Sequence, residues 1–424
     1  MLPIFGTKEL DDLDESDLQD LKNKQIPENR FVEYKRDMYG GTDSQVEEML
    51  ADITAFANSQ GGYLFIGIEE MSRDNPIPNN ILGIDNAEVE AQRIRDRCEA
   101  CVDEYIQGLK VKTVSLSNGK KVIIVCIPNS PKKPHMVTFK NKNRFYIRRD
   151  EGKSLMNVEE IRDVVLRVEE YMEKLEKFLE KRKRDVKEEI VEKFNSGCWM
   201  ILSSCPIFVS EERIDVAKSG EIKELIINSP LEPTLNQKVN YTIKSGLPKI
   251  TLHGLRSEKL NRYNRHGEGQ YLEVWNEGYI EFGFSLEEFS KTKLTEKGYA
   301  SDETTLRTYL IPNLITPDIV ISFCYFVHDV IKIMRINEPI VFKLILLNCL
   351  SITLEYTGDE IVFWQQPEFI INPIKVYTPE KPSIIAKELM TKIFRAFGRL
   401  EPKYTDRSGR HRPLFDEDGN YKPD

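Results

Sequence analysis

Acidic side chains give the first chemical signal in this 424-residue sequence. Glu28 and Glu33 stand five positions apart, and the pair Glu69-Glu70 closes an apolar run at 63–68. Two or three such acids brought together can hold a hard divalent cation such as Mg2+ or Mn2+, which prefers carboxylate and water oxygens. Bound there, the cation polarises a phosphodiester and supplies a hydroxide. Lys35, two residues beyond Glu33, could contact the scissile phosphate. The plainer alternative for Glu33 is a surface strand residue paired with Lys35 or Arg36, and for Lys35 a simple salt bridge. Other chemistry is poorly served. The five histidines are scattered without a pair at metal spacing, and Gly61-Gly62 and Gly267-x-Gly269 lack the Lys-Ser/Thr of a nucleotide-phosphate loop. Cys98-x-x-Cys101 lies in a helix-like stretch with no second metal-binding pair, so its thiols are expected on ordinary helix faces.

Positioning these acids requires a strand, a helix and a second strand. Residues 31–36 alternate with period two, placing Phe31, Glu33 and Lys35 on one face and Val32, Tyr34 and Arg36 on the other. Ser44 with Glu47 predicts a capping box, followed by Val46, Met49, Leu50, Ile53 and Phe56 at helical spacing. Gly61-Gly62 ends that helix, and residues 63–68 form an apolar run of buried-strand length. Strand parity sends Glu69 and Glu70 to opposite faces, so only one can join Glu33. Glu28, Glu33 and one of that pair could thus meet at one end of a small sheet.

Further along, residues 72–80 read as a polar, proline-bearing loop, 81–84 as a short strand and 87–106 as a helix. Lys110 to Leu116 and Lys120 to Ile127 flank Asn118-Gly119, a hairpin signal. Residues 128–154 are the most basic of the first domain: Lys132, Lys133, Lys140, Lys142, Arg144, Arg148, Arg149 and Lys153 face only Asp150 and Glu151. This is the expected phosphate-binding surface. Tyr146 and Arg148 share one side of their strand, which favours Arg148 for a solvent-facing contact and Arg149 for an internal salt bridge. Asn157 with Glu160 caps a helix running from 158 to 194.

These motifs carry a family resemblance. The pattern Glu28-x4-Glu33-Tyr-Lys, then AFANSQGG, then an aliphatic strand ending in acids, then FYIRRDEGKS at 145–154, resembles the Schlafen-type AlbA_2 domain over roughly the first 165 residues. The resemblance implies a metal-dependent endoribonuclease acting on structured RNA such as tRNA, with three acids as the Mg2+ or Mn2+ site. Carried over by position, these are Glu28, Glu33 and Glu70, the last where the family more often has Asp. Toxic activity of this kind would suit a bacterial defence or stress effector. Many bacterial members are described only as DNA-binding or ATP-binding, so the alternative is a non-catalytic module that binds RNA, DNA or a regulatory partner.

The expected architecture is α+β: an AlbA_2-like mixed α/β domain at 1–156, a long connecting helix at 157–196, a C-terminal α+β domain at 197–400 and a polar tail at 401–424. In the second half, the run WMILSSCPIF after Gly197 reads as a strand. Tyr271 to Trp275 and Tyr279 to Phe282 read as a hairpin, 317–336 and 384–399 as helices, and 341–356 as strands. The connecting helix could also serve as the seam of a homo-oligomer. A net charge of −9 confines any RNA or DNA contact to a local basic patch. No stretch is long and apolar enough for a membrane span, no signal-peptide pattern opens the chain, and seven irregularly spaced cysteines suit reduced thiols. A cytoplasmic location is the expectation.

Overall fold

A computed structural model of the chain describes residues 5, 8, 10–72, 74–149, 152–194, 197–208, 213–228, 246–260, 269–286, 309–311, 315–336, 338–350, 352–354, 363–364, 366–376, 381–405, 411–416 and 419. They fall into two compact units, one built mainly from residues 1–174 and the other mainly from residues 175–424.

In the first unit the elements run α1 (Glu15–Asn23), β1 (Val32–Lys35), α2 (Asp43–Ala57), β2 (Gly62–Ile66), β3 (Ile68–Ser72), β4 (Asn75–Ile81), α3 (Ala87–Cys101), β5 (Val102–Asp103), β6 (Lys110–Ser115), β7 (Lys121–Ile127), β8 (Met136–Val137), β9 (Arg144–Arg149) and β10 (Gly152–Leu155). A central sheet has the order β1-β2-β7-β6, with β1 parallel to β2 and the other pairs antiparallel. Its strands alternate between two cores. Leu64, Ile66, Ile123 and Val125 pack with Met49, Leu50, Ile53 and Phe56 of α2 and with Ile94 of α3. Val32, Tyr34, Tyr63, Phe65 and Ile124 pack with Leu18 and Leu21 of α1. Both faces are therefore covered, which is why β2 and residues 122–127 of β7 are apolar. A second sheet, β10-β9-β8-β5, lies against α2.

Four local expectations change. The cap of α2 is Thr42 with Gln45, not Ser44 with Glu47: the Thr42 hydroxyl accepts from the Gln45 N–H, and the helix starts two residues earlier. That frees Glu47 for other contacts. The run at 63–68 is broken at Gly67, whose φ of +104° turns the chain out of the central sheet. The stretch at 72–80 is strand as well as loop, because β4 pairs with β3 in a two-stranded ribbon. Pro76 and Pro78 are tolerated there because a ribbon strand has one free side, where a missing N–H costs little. The predicted helix at 87–106 stops at Cys101, where Val102 joins β8.

Helix α4 (Val158–Phe194) matches its predicted bounds, and Asn157 and Glu160 exchange the two hydrogen bonds of a capping box at 2.8 and 2.9 Å. In the second unit follow β11 (Trp199–Pro206), α5 (Gly220–Asn228), β12 (Lys249–Ile250), β13 (Gly254–Leu260), β14 (Gly269–Trp275), β15 (Ile280–Ser285), β16 (Tyr309–Ile311), α6 (Ile315–Met334), β17 (Ile340–Leu347), β18 (Ile352–Leu354), β19 (Phe363–Trp364), β20 (Glu368–Val376), α7 (Pro382–Ala396), β21 (Lys403–Thr405) and β22 (His411–Pro413). Seven of these strands make one antiparallel sheet, β12-β13-β14-β15-β11-β17-β20. The predicted hairpin is β14-β15, with Gly278 at a φ of +88° in its turn. The polar stretch from 401 carries the β21-β22 hairpin, and its Leu414 and Phe415 are buried. The chain is thus α+β, with the AlbA_2-like domain followed by a long helix as expected.

Candidate functional site

Strand β1 has two covered faces, and its polar residues lie on the α2 side. Val32 and Tyr34 go to the α1 core, so alternation turns Glu33 and Lys35 the other way. Each Glu33 oxygen meets a cation. Oε1 accepts from Lys35 Nζ at 2.6 Å, and Oε2 pairs with the Arg148 guanidinium from β9. That guanidinium is only 4% exposed; it donates to the Asn29 carbonyl at 3.1 Å through Nη2 and lies 4.4 Å over the Phe56 ring. Burial works to raise the Glu33 carboxyl, but Arg148 and then Lys35 outweigh it and hold it below the usual carboxylate range.

Glu28 is the opposite case. Its Oε1 accepts the Tyr34 N–H at 2.6 Å, and its own N–H is fixed to the Pro76 carbonyl of β4 at 2.8 Å. Burial first, then the charges of Glu33 and Glu70, push its carboxyl up to about 7. Glu28 thus feels the charges of Glu33, Glu70 and Lys35. Of the pair on β3, Glu69 is drawn off to Arg36 at 3.0 Å and Asn80 at 2.8 Å, and Glu70 is the one whose charge bears on Glu28.

Two further groups belong to this cluster and escaped the sequence reading. Asp52 of α2 is 2% exposed and accepts from the Tyr39 hydroxyl at 2.6 Å and Lys153 Nζ at 2.7 Å. Burial disfavours the Lys35 ammonium, but Asp52 and then Glu33 more than compensate and raise it. The available signal was position: Asp52 follows Met49 by three and precedes Phe56 by four, an acid on an apolar helical stripe. The second group is Asn58-Ser59, inside the AFANSQGG motif. Asn58 Nδ2 donates to the His135 and Tyr146 carbonyls at 2.9 and 2.8 Å, and Oδ1 accepts the His135 N–H at 2.6 Å. Ser59 Oγ accepts the Arg148 N–H at 2.9 Å. The end of α2 thereby stitches β8 and β9 in place and aims Arg148 at Glu33.

The basic segment behaves differently from expectation. Arg148 turns inward and Arg149 is exposed, paired with Glu160, the reverse of the predicted facing. Tyr146 and Arg148 do share a side, but that side is covered by α2. Lys142 and Arg144 both converge on Glu47 at 2.8 Å, Lys132 reaches Glu104 at 3.4 Å, and Lys133 donates to the Ser59 carbonyl at 2.7 Å. These cations are tied to the domain itself.

As a metal centre the donor set fits in part. Among the described residues no group of three or more His, Cys, Asp and Glu is arranged around one point, and Glu33 is engaged by two cations. Glu28 and Glu70 remain: two mutually repelling carboxylates, one pushed to about 7 by burial first and then by the neighbouring acids. Two carboxylates suffice for Mg2+, which takes its other ligands from water and substrate phosphate.

Residues 28–157 match the family model described as Schlafen, AlbA_2. This part of the chain is a Schlafen AlbA_2 domain. Its limits enclose every residue of the acid cluster, from Glu28 to Lys153. Similar solved structures include the N-terminal domain of a putative ATP-dependent DNA helicase RecG-related protein from Nitrosomonas europaea, 21% identical, covering 28% of this chain and 74% of that one with a TM-score of 0.23. Another is the DIP2311 protein from Corynebacterium diphtheriae, 16% identical, covering 30% of this chain and 22% of that one with a TM-score of 0.21. No curated protein matches the chain. The AlbA_2 domain points to a nucleic-acid-related function, and no described helix is long and apolar enough to cross a membrane.

Proposed function

We propose that the AlbA_2 domain is a metal-dependent endoribonuclease acting on structured RNA such as tRNA. What supports this reading is the charge that Glu33, Glu70 and Lys35 bring to bear on Glu28. Glu28 and Glu70 would hold Mg2+ or Mn2+, which when bound polarises a phosphodiester and lowers the pKa of bound water. The remaining roles belong to the chain. Glu33 fixes the Lys35 ammonium and the Arg148 guanidinium, Lys35 presents positive charge to the non-bridging oxygens, and Asp52 keeps Lys35 protonated. Incubation of purified protein with labelled tRNA in Mn2+ or EDTA tests this. Cleavage should require Mn2+ and fall by about 100-fold or more in Glu28→Gln, the scale of losing a principal electrostatic contributor.

A second reading is a non-catalytic module that binds RNA or DNA through its basic residues. It is favoured by the full engagement of Glu33 with Lys35 and Arg148. Under it, tRNA stays intact in Mn2+ while binding weakens with salt.

A further inference from the structure

Resting on the nucleic-acid reading of this site, we propose that Arg30, at the tip of the turn between Glu28 and Glu33, is a backbone-phosphate contact that brings an RNA strand to the acid cluster. The turn is fixed from several sides. Asn29 and Val32 exchange backbone hydrogen bonds at 3.0 and 3.2 Å, Asn29 Oδ1 accepts the Phe31 N–H at 2.8 Å, and Asn29 Nδ2 donates to the Pro27 carbonyl at 2.9 Å. The Asn29 carbonyl in turn accepts from Arg148, the buried partner of Glu33. A residue at the tip is therefore held in a set position relative to the cluster.

Arg30 is exposed, its guanidinium lies 4.9 Å over the Phe31 ring, and no carboxylate among the described residues pairs with it. This sets it apart from Lys132, Lys142, Arg144 and Arg149, each already joined to a glutamate of its own domain. A cation committed to an internal acid has little charge left for a phosphate, whereas a planar guanidinium resting on an aromatic face keeps its donor edge for bidentate contact with one. Electrostatics requires such a group. The cluster sets Glu28, Glu33, Glu70 and Asp52 against Lys35, Arg148 and Lys153, and an incoming phosphate would be repelled by the excess of acid unless an outer cation met it first.

The test is binding of a labelled RNA hairpin in EDTA across a salt series, with wild type, Arg30→Met, Arg30→Lys and, as a control, Lys24→Met at the C-cap of α1, where the ammonium already pairs with Asp20. Arg30→Met should bind about tenfold more weakly at low salt and lower the slope of log affinity against log salt by about 1. Arg30→Lys should keep the slope, and Lys24→Met should match wild type. If wild type binds and Arg30→Met shows the same affinity and slope, this inference is overturned while the nucleic-acid reading stands. If wild type retains no RNA at any salt and leaves tRNA uncut in Mn2+, both fall.

Discussion

Glu33 joins a strand, a neighbouring lysine and a distant arginine through one carboxylate, and Glu28 beside it has only a backbone N–H. That asymmetry makes their titrations diverge. The Glu28 carboxyl is raised to about 7 from an ordinary 4.5, so the folded protein holds this proton more tightly than the unfolded chain does. Stability contributed by the protonated form is present below about pH 4.5 and is lost as pH rises to about 7. Glu28→Gln should therefore stabilise the fold at pH 8, by about 1 kcal/mol once solvent screening of this half-buried group is allowed for, and give no gain at pH 4. Thermal melts of both proteins at the two pH values measure this, and an equal difference at both would contradict it. At this scale the pairing of Glu33 with Lys35 was legible, because strand alternation puts both on one face of β1. The facing of Arg148 was not, since alternation assigns residues to two faces without saying which is covered. Asp52 was hidden for a related reason: its partners Tyr39 and Lys153 lie far apart in sequence and only the fold unites them.

Among the elements, α2 does most of the positioning. Its apolar stripe seats it on the central sheet, Glu47 near its start holds Lys142 and Arg144, and Asn58 at its end holds β8 and β9. Asn58→Ala would leave two buried carbonyls and one buried N–H without these bonds. A loss of about 2–4 kcal/mol in urea denaturation is expected. In the second unit, Arg182 of α4 holds Glu273 at 2.8 Å and Glu281 at 2.6 Å, both deeply buried. Arg182→Met would take the cation from the buried Glu281 carboxylate, while Glu273 keeps Arg256 at 2.6 Å, and urea denaturation should register a loss of about 3–5 kcal/mol for this unit. A loss below about 1 kcal/mol would show that water reaches those acids. The strongly periodic elements, α4 and the β6-β7 and β14-β15 hairpins, were readable from local pattern and turn chemistry. The β3-β4 ribbon was not, because its prolines and asparagines match loop composition and only pairing across the ribbon makes it strand.

For the molecule as a whole, a net charge of −9 sets the condition under which any RNA is bound. Bulk attraction is absent, so contact must come from a few placed cations and should weaken steeply with salt. Composition and segment order were enough to read an α+β chain in which the AlbA_2-like domain is followed by a long helix. The seven-stranded order of the second unit was beyond reach, since β11, central to that sheet, pairs with strands about 75 and 140 residues away, and nothing local encodes such partners. The central claim is that acids from three segments converge to cut RNA. Its most direct test is incubation of labelled tRNA with wild type and Glu33→Ala in Mn2+ and in EDTA. The account predicts cleavage by wild type in Mn2+ alone, lost in EDTA and in the variant; tRNA left equally intact by wild type and Glu33→Ala in Mn2+ would contradict it.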